Sequence, residues 1–231
     1  MIGFSRISIL AGAALSLIMA PAVSAQKVDW AKRYSMSNIG GFIMGKPDAG
    51  TNLVEYISYT CSHCAAFTQK AAAPLHVNWV SKGTLNIEIR NAVRDRYDLT
   101  AALLARCGGP TKFFGNHDAL MANFDNWMKQ VVAYNDANKD KPPSASIDDT
   151  MDDIAASTGL YTLLQKRGFT PNQLKICLGD TGARDKILAM TKQAWGELKI
   201  SGTPSFSVNG RLLADAHDWN SLEPALPPAA N

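Results

Sequence analysis

The sequence predicts an α/β protein in which an all-helical domain is inserted between two parts of a strand-containing domain. From about residue 98 to 198 the pattern indicates several helices and no convincing strand. Leaving a sheet and returning to it is typical of a domain that carries an insertion. The strand-like runs lie near both ends of the chain, at 40–45, 51–59, 84–93, 205–208 and 211–213.

Residues 1–25 are predicted to be a secretory signal peptide. Arg6 precedes an uncharged run over 7–20, and small residues up to Ala25 suit a cleavage site just after it. The uncharged run is short of the roughly 20 apolar residues that a membrane-spanning helix needs, so a retained anchor is the less favoured alternative. We therefore expect a mature chain in the periplasm, where disulfides form and persist.

The charge pattern does not indicate a nucleic-acid-binding protein. The net charge is +3, Arg6 is the one charged residue of the predicted signal, and both signs are mixed along the rest of the sequence. The remaining length is sufficient for a domain with an insertion. The predicted division is a signal peptide at 1–25, the first part of the strand-containing domain at 26–97, a helical insertion at 98–184, the second part at 185–226 and a tail at 227–231.

The first strands and helix predict a parallel crossover unit. Apolar runs at 40–45 and 51–59 are separated by a turn, and helical spacing follows from Cys61 to about Lys82, with a kink expected at Pro74. Residues 84–93 then alternate between apolar and polar side chains as a third strand does. Strand, helix and strand in this order are expected to pack as a right-handed unit.

Local signals place helix ends in the insertion and a hairpin after it. Ser146 is expected to cap a helix that Gly159 ends. Thr170 and Gln173 form a predicted capping box at the start of another helix. Asn209-Gly210 predicts the tight turn of a β-hairpin.

Cys61-Ser62-His63-Cys64 lies where a strand ends and a helix begins. Cysteines three apart on a helix can form a small disulfide, and the helix N-terminus stabilises a thiolate at Cys61, an effect that a charged His63 would add to. We expect Cys61 to be the attacking sulfur and Cys64 the buried resolving thiol. A static disulfide or half of a zinc site is the alternative, although zinc would need two further ligands at suitable spacing.

Cys107 and Cys177 are expected to form a structural disulfide. It would close a loop of about 70 residues and stabilise the fold by roughly 4 kcal/mol through the lost entropy of the unfolded chain. Two buried free thiols are the alternative that the sequence leaves open. His76, His117 and His217 lack ligand-like spacing and are expected to be ordinary core or surface residues.

Glu55, Cys61-Ser62-His63-Cys64 and Gly202-Thr203-Pro204 together resemble the DsbA family of thioredoxin-fold oxidoreductases. The resemblance covers the mature chain and implies a thioredoxin fold. It also implies that Pro204 is a cis-proline beside the active-site disulfide and that Glu55 is a partly buried acid that tunes the cysteines or moves protons. A trans Thr203-Pro204 turn and a solvent-facing Glu55 are the alternatives.

The resemblance implies a thiol:disulfide oxidoreductase acting on unfolded exported proteins with free cysteines and reoxidised by a DsbB-like membrane protein. No bound cofactor is required because the two sulfurs carry the chemistry, and a monomer is expected. The backbone of Thr203 could pair with an extended substrate. Ser62 and Thr203 differ from the best-known members, and threonine before the cis-proline also occurs in isomerase and reductase relatives. A periplasmic isomerase or reductase and a chaperone-like peptide-binding module are the alternative functions.

Overall fold

The computed structural model of the chain describes residues 28–140 and 146–229, together with Ile2. Apart from Ile2, the predicted signal peptide and its cleavage site after Ala25 lie outside these residues. In the described part of the chain, the model contains no helix with the length and apolar character needed to cross a membrane.

A mixed sheet of six strands forms the centre of the described fold, in the order β1-β2-β4-β3-β5-β6. β3 and β4 are parallel and the other neighbouring pairs are antiparallel. The crossover from β3 to β4 is the predicted strand–helix–strand unit. The strands are β1 Tyr34–Met36, β2 Phe42–Met44, β3 Thr51–Ile57, β4 Leu85–Asn91, β5 Ser205–Val208 and β6 Arg211–Leu213.

Helices cover the sheet and fill the chain between β4 and β5, as the sequence predicts. The predicted insertion boundary after residue 184 falls inside α8, and the division of the chain into domains stays a prediction. The helices are α1 Ser62–Leu75, α2 Arg96–Ala105, α3 Pro110–Ala122, α4 Phe124–Asn138, α5 Ile147–Ser157, α6 Leu160–Gln165, α7 Pro171–Leu178, α8 Thr181–Lys192 and α9 Trp219–Leu222.

The local signals in the sequence have the predicted structural effects. Thr170 and Gln173 form a reciprocal capping box at the start of α7. Gly159 has a φ of 76°, the left-handed conformation that follows the end of α5. Asn209 and Gly210 have φ angles of 49° and 80°, as a tight hairpin between β5 and β6 requires. Pro74 lies inside α1, which continues as a π-helical segment at His76–Val80.

Strand β1 is missing from the sequence-based prediction. It has three residues and pairs only with β2 at the edge of the described sheet, so it leaves too short a pattern to detect.

Glu88 of β4 is buried, as the apolar residues of this strand are. It accepts hydrogen bonds of 2.8 Å from Nε and Nη2 of Arg90. A buried carboxylate that is paired in this way is tolerated within a covered sheet face.

The end of the chain packs against the segment that follows α1. The ring of Trp79 meets the ring of Trp219 edge to face, with 6.2 Å between centroids. The indole Nε1 of Trp79 donates a hydrogen bond of 2.7 Å to the carbonyl oxygen of Pro227. The predicted tail therefore begins in contact with the core.

Candidate active site

The two cysteines of the Cys-x-x-Cys motif lie at the N-terminus of α1. Cys61 is the N-cap residue, and both cysteines are in the thiol form. Ser62 and His63 are exposed, whereas Cys64 is fully buried and Cys61 is 4% exposed. The first turn of the helix thus presents one sulfur at the surface boundary and places the other in the core.

Two side chains, one just before α2 and one in its first turn, hold the loop that leads from β3 to Cys61. The buried carboxylate of Asp98 accepts hydrogen bonds from the backbone N–H of Tyr59 at 2.7 Å and of Arg94 at 3.0 Å. The guanidinium of Arg94 donates to the hydroxyl of Ser58 at 3.0 Å and to the carbonyl of Thr60. Because β3 and β4 are parallel neighbours, the segments that follow them meet at the same edge of the sheet.

The environment of the pair gives the two thiols different acidities. A hydrogen bond from the Cys64 thiol is the main effect that lowers the pKa of Cys61 from 9.0 to about 4, against the opposing effect of burial. The positive charge of Arg94 acts in the same direction. The Thr203 hydroxyl has no other partner in the described part of the chain and is placed to donate to the thiolate. Burial, followed by the hydrogen bond and charge of Cys61, raises the pKa of Cys64.

The loop before β5 lies against Cys61. The peptide bond between Thr203 and Pro204 is cis, and the carbonyl oxygen of Thr203 accepts a hydrogen bond of 3.0 Å from Sγ of Cys61. Pro204 is buried. Because proline has no N–H, this residue lies in the loop without offering a donor to the sulfurs.

His217 is half-buried and contacts the loop that carries Pro204. Its Nδ1 lies 2.8 Å from the carbonyl oxygen of Pro204, and its Nε2 lies 3.3 Å from the hydroxyl of Ser201. A carbonyl oxygen only accepts, so Nδ1 of His217 carries the proton in this contact. No spacing in the sequence connects His217 to this loop, because the β5–β6 hairpin and the following turn bring His217 back to Pro204.

A groove of about 580 Å³ runs beside the exposed end of α1. His63 lines one part of it, and Thr203 and His217 line another. An extended polypeptide lying there would meet the backbone of the Thr203 loop, which contacts the sulfur of Cys61.

Glu55 is buried on β3 and lies beside a small internal cavity. It is 2% exposed, and its Oε1 has no hydrogen-bond partner within the described residues. The cavity, ≈ 20 Å³, is about large enough for one water and is also lined by His76 and Asp118. Burial, with a contribution from the charge of Asp118, raises the pKa of Glu55 to about 8, and the charge of Glu55 adds to the raised pKa of Cys64.

His117 is a buried core residue, as predicted, with Nδ1 3.2 Å from the hydroxyl of Tyr59 and Nε2 3.3 Å from that of Thr68. Burial lowers the pKa of His117 to about 3, so its imidazole is neutral. Within the described ranges, no group of three or more histidine, cysteine or acidic side chains is arranged to hold a metal ion.

Cys107 and Cys177 form a disulfide in the structure, with their Cα atoms 5.6 Å apart. The bond joins the end of α2 to α7 across 70 residues of sequence. Cys107 is buried and Cys177 is half-buried. This pair lies among the insertion helices and separate from the start of α1.

Comparison with known proteins places these features in a family. Residues 37–227 match the sequence profile of the family described as Thioredoxin. A crystal structure of a protein-disulfide isomerase from Novosphingobium aromaticivorans superposes with a TM-score of 0.74 and 35% identity, covering 79% of this chain and 93% of that one. Alpha-DsbA1 of Wolbachia pipientis, at 22% identity and a TM-score of 0.54 over 79% of this chain and 80% of its own, shares the fold.

A curated relative from Rickettsia bellii is named as a candidate protein-disulfide oxidoreductase. It is 27% identical over 185 residues, which are 80% of this chain and 62% of the relative. The chain therefore spans about three fifths of the length of that relative.

The fold and the site define a thioredoxin-fold protein that carries a Cys-x-x-Cys pair at the start of a helix and a proline loop against it. The chain belongs to the thioredoxin family, and its structural neighbours are the DsbA-like protein-disulfide oxidoreductases. The predicted fold class and the predicted resemblance are both confirmed.

Proposed function

We propose that the chain is an exported thiol:disulfide oxidoreductase that introduces disulfides into secreted proteins through Cys61 and Cys64. The observation that supports this most directly is the contrast between the two thiols, since the pKa of Cys61 is lowered to about 4 while that of buried Cys64 is raised. A stabilised Cys61 thiolate stabilises the reduced protein and so makes the Cys61–Cys64 disulfide oxidising.

The reaction begins when a substrate thiolate attacks Sγ of Cys61 in the oxidised pair. A bond forms between the substrate sulfur and Cys61, the Cys61–Cys64 bond breaks, and Cys64 leaves as a thiolate that takes up a proton. A second substrate thiolate then attacks the first substrate sulfur and displaces Cys61, which leaves readily because its pKa is low. The substrate has lost two electrons and the pair has gained them.

Surrounding residues support each step in a different way. Glu55, with its pKa raised to about 8, is protonated near neutral pH, and in this proposal it gives the proton that Cys64 needs when it is released. The Thr203 loop, whose carbonyl contacts Sγ of Cys61, borders the groove, where a substrate strand would be held by backbone hydrogen bonds that do not depend on its sequence. His63, exposed at the helix start, and Ser62 would contact that substrate.

Turnover requires an acceptor of two electrons, for which we propose a DsbB-like membrane protein. Export through the signal peptide at 1–25, with cleavage after Ala25, and function in the periplasm as a monomer belong to the same proposal. The sulfurs carry the chemistry, so no bound cofactor is needed.

A second candidate function is a disulfide isomerase or reductase. The relative from Novosphingobium aromaticivorans, at 35% identity, is named a protein-disulfide isomerase. This candidate uses the same sulfurs in the opposite redox direction, with the pair kept reduced.

The test is the reduction potential of the Cys61–Cys64 pair, measured on the mature protein in glutathione buffers by mass spectrometry of trapped thiols. A value near about −120 mV supports the oxidase, whereas one near about −270 mV overturns it in favour of a reductant. Cys61→Ser is the matched control, since this variant should show no titration of the pair.

A refolding assay tests the enzyme proposal against a peptide-binding module. If Cys61→Ser/Cys64→Ser keeps full activity in refolding a reduced substrate, the protein acts as a peptide-binding module and the enzyme proposal fails.

A further inference from the structure

Met36 is the most exposed methionine among the described residues. It lies on edge strand β1 and is 43% exposed. The methionines that are instead buried or half-buried are Met44, Met121, Met128, Met151 and Met190. Its thioether is therefore the one that a soluble oxidant reaches most easily.

Two cationic side chains from different helical segments converge on this sulfur. Nη2 of Arg106, at the end of α2, lies 3.7 Å from Sδ of Met36, and Nζ of Lys186, on α8, lies 4.0 Å from it. A thioether is a weak acceptor, so neither donor is fully satisfied there. Among the described residues, neither cation forms a salt bridge with a carboxylate.

Both cations are held in place by their surroundings. Arg106 is 8% exposed, donates a hydrogen bond of 2.8 Å to the carbonyl of Gly40, and lies over the ring of Phe42 at 4.3 Å. Its Nη1 is buried without a partner in the described part of the chain. The stem of Lys186 packs so closely on Gly40 that a Cβ there would lie 2.7 Å from its own Cβ. A donor site therefore exists around the sulfur before any change occurs.

We propose that Met36 is a methionine oxidation site whose sulfoxide oxygen is bound by Arg106 and Lys186. In the reaction the sulfur attacks a peroxide, one oxygen is transferred to the sulfur, and the oxygen–oxygen bond breaks. With hydrogen peroxide the other product is water, so the sulfur loses the two electrons that the peroxide gains.

Oxidation of Met36 should stabilise the fold, whereas oxidation of a methionine in the core usually destabilises it. A sulfoxide in a core disrupts packing because it is polar, whereas here a strong acceptor replaces a weak one beside two donors. The new hydrogen bonds connect β1 to the end of α2 and to α8. Oxidation would thus strengthen the attachment of the sheet edge to these helices, independently of the chemistry of Cys61 and Cys64.

The experiment treats the mature protein with hydrogen peroxide after Cys61 and Cys64 have been oxidised, so that thiols do not consume the reagent. Peptide mass mapping should show oxygen added to Met36 before Met128. The melting temperature should rise by about 2–4 °C as Met36 is converted. Met36→Leu, treated in parallel, should show no shift. Oxidation of Met128 ahead of Met36, or an unchanged or lower melting temperature on conversion of Met36, overturns the proposal.

Lys186→Leu tests the role of the cations without removing buried Arg106. Oxidation of Met36 in this variant should raise the melting temperature by less than in the natural protein, because leucine offers no donor to the sulfoxide oxygen. An equal response of the variant and the natural protein overturns the proposal.

Discussion

The two cysteine pairs of this protein differ in almost every physical respect. Cys61 and Cys64 belong to one helix turn, and the environment separates their pKa values. Cys107 and Cys177 are 70 residues apart and are bonded between the end of α2 and α7. A short loop loses little entropy on closure, whereas a long loop loses much. The comparison teaches that the same chemical bond stabilises the fold at one place and is suited to exchange at the other.

Removal of Cys107–Cys177 should produce the largest change in stability. Replacing both residues by Ala should lower the free energy of unfolding by about 4 kcal/mol, because the closed loop is long. The measurement is urea unfolding of the oxidised protein. The matched control, Cys61→Ala/Cys64→Ala, should be destabilised by less than half as much. A changed reduction potential of Cys61–Cys64 in the first variant would show that the two pairs are coupled.

The stability of the reduced protein should depend on pH through Cys61. Its pKa is lowered from 9.0 to about 4, so the stabilisation is present above the ordinary value and is lost as the pH falls through about 4. With solvent screening at the partly accessible sulfur taken into account, we expect the reduced form to lose about 3 kcal/mol relative to the oxidised form between pH 8 and pH 4. Parallel unfolding curves of the two redox forms would measure this. A constant difference contradicts the lowered pKa.

Glu55→Gln should make the stability of the protein less dependent on pH. The pKa of Glu55 is raised to about 8, so the native state holds a proton that the unfolded chain releases, and stability falls as the pH rises through that value. The variant should lose about 2 kcal/mol less than the natural protein between pH 5 and pH 9. Unfolding of the oxidised forms is the measurement. Asp118→Asn is the comparison variant, because burial raises the pKa of Asp118 only to about 6 and the charge of Asp118 contributes to the raised pKa of Glu55; this variant should therefore shift the Glu55 effect to lower pH instead of abolishing it.

His217→Leu should have the smallest effect of the four. It removes the hydrogen bond to the carbonyl of Pro204, which is worth about 1 kcal/mol, and loosens the loop beside Cys61. The pKa of Cys61, followed by ultraviolet thiolate absorbance, should rise by less than about one unit. His217→Asn retains a donor and should restore most of the difference. Equal effects of both variants would mean that His217 acts through packing alone.

The sequence predicts those structural features that depend on residues close together in the chain. The strand before Cys61, the helix after it, the capping box at Thr170 and the hairpin at Asn209-Gly210 each depend on contacts within a few residues. Helical periodicity also placed the insertion between β4 and β5. These features follow from propensity and turn chemistry, which act locally.

Features created by the crossover were harder to predict. Arg94 and Asp98 reach the loop before Cys61 because β3 and β4 are parallel, and Asp118 reaches the cavity beside Glu55 because α3 packs on α1. Their partners are distant in sequence, and no local pattern marks them. Strand β1 was missed for another reason, since three edge residues carry too little pattern.

The contact between Trp79 and Pro227 ties the segment after α9 to the π-helical continuation of α1. A protease that trims the chain back past Pro227 would leave a buried indole N–H without its acceptor, at a loss of about 1–3 kcal/mol. Trimming that stops at Ala229 leaves the acceptor in place. A purification tag or a fusion partner should therefore be joined beyond Pro227, so that the hydrogen bond between Trp79 and Pro227 is preserved.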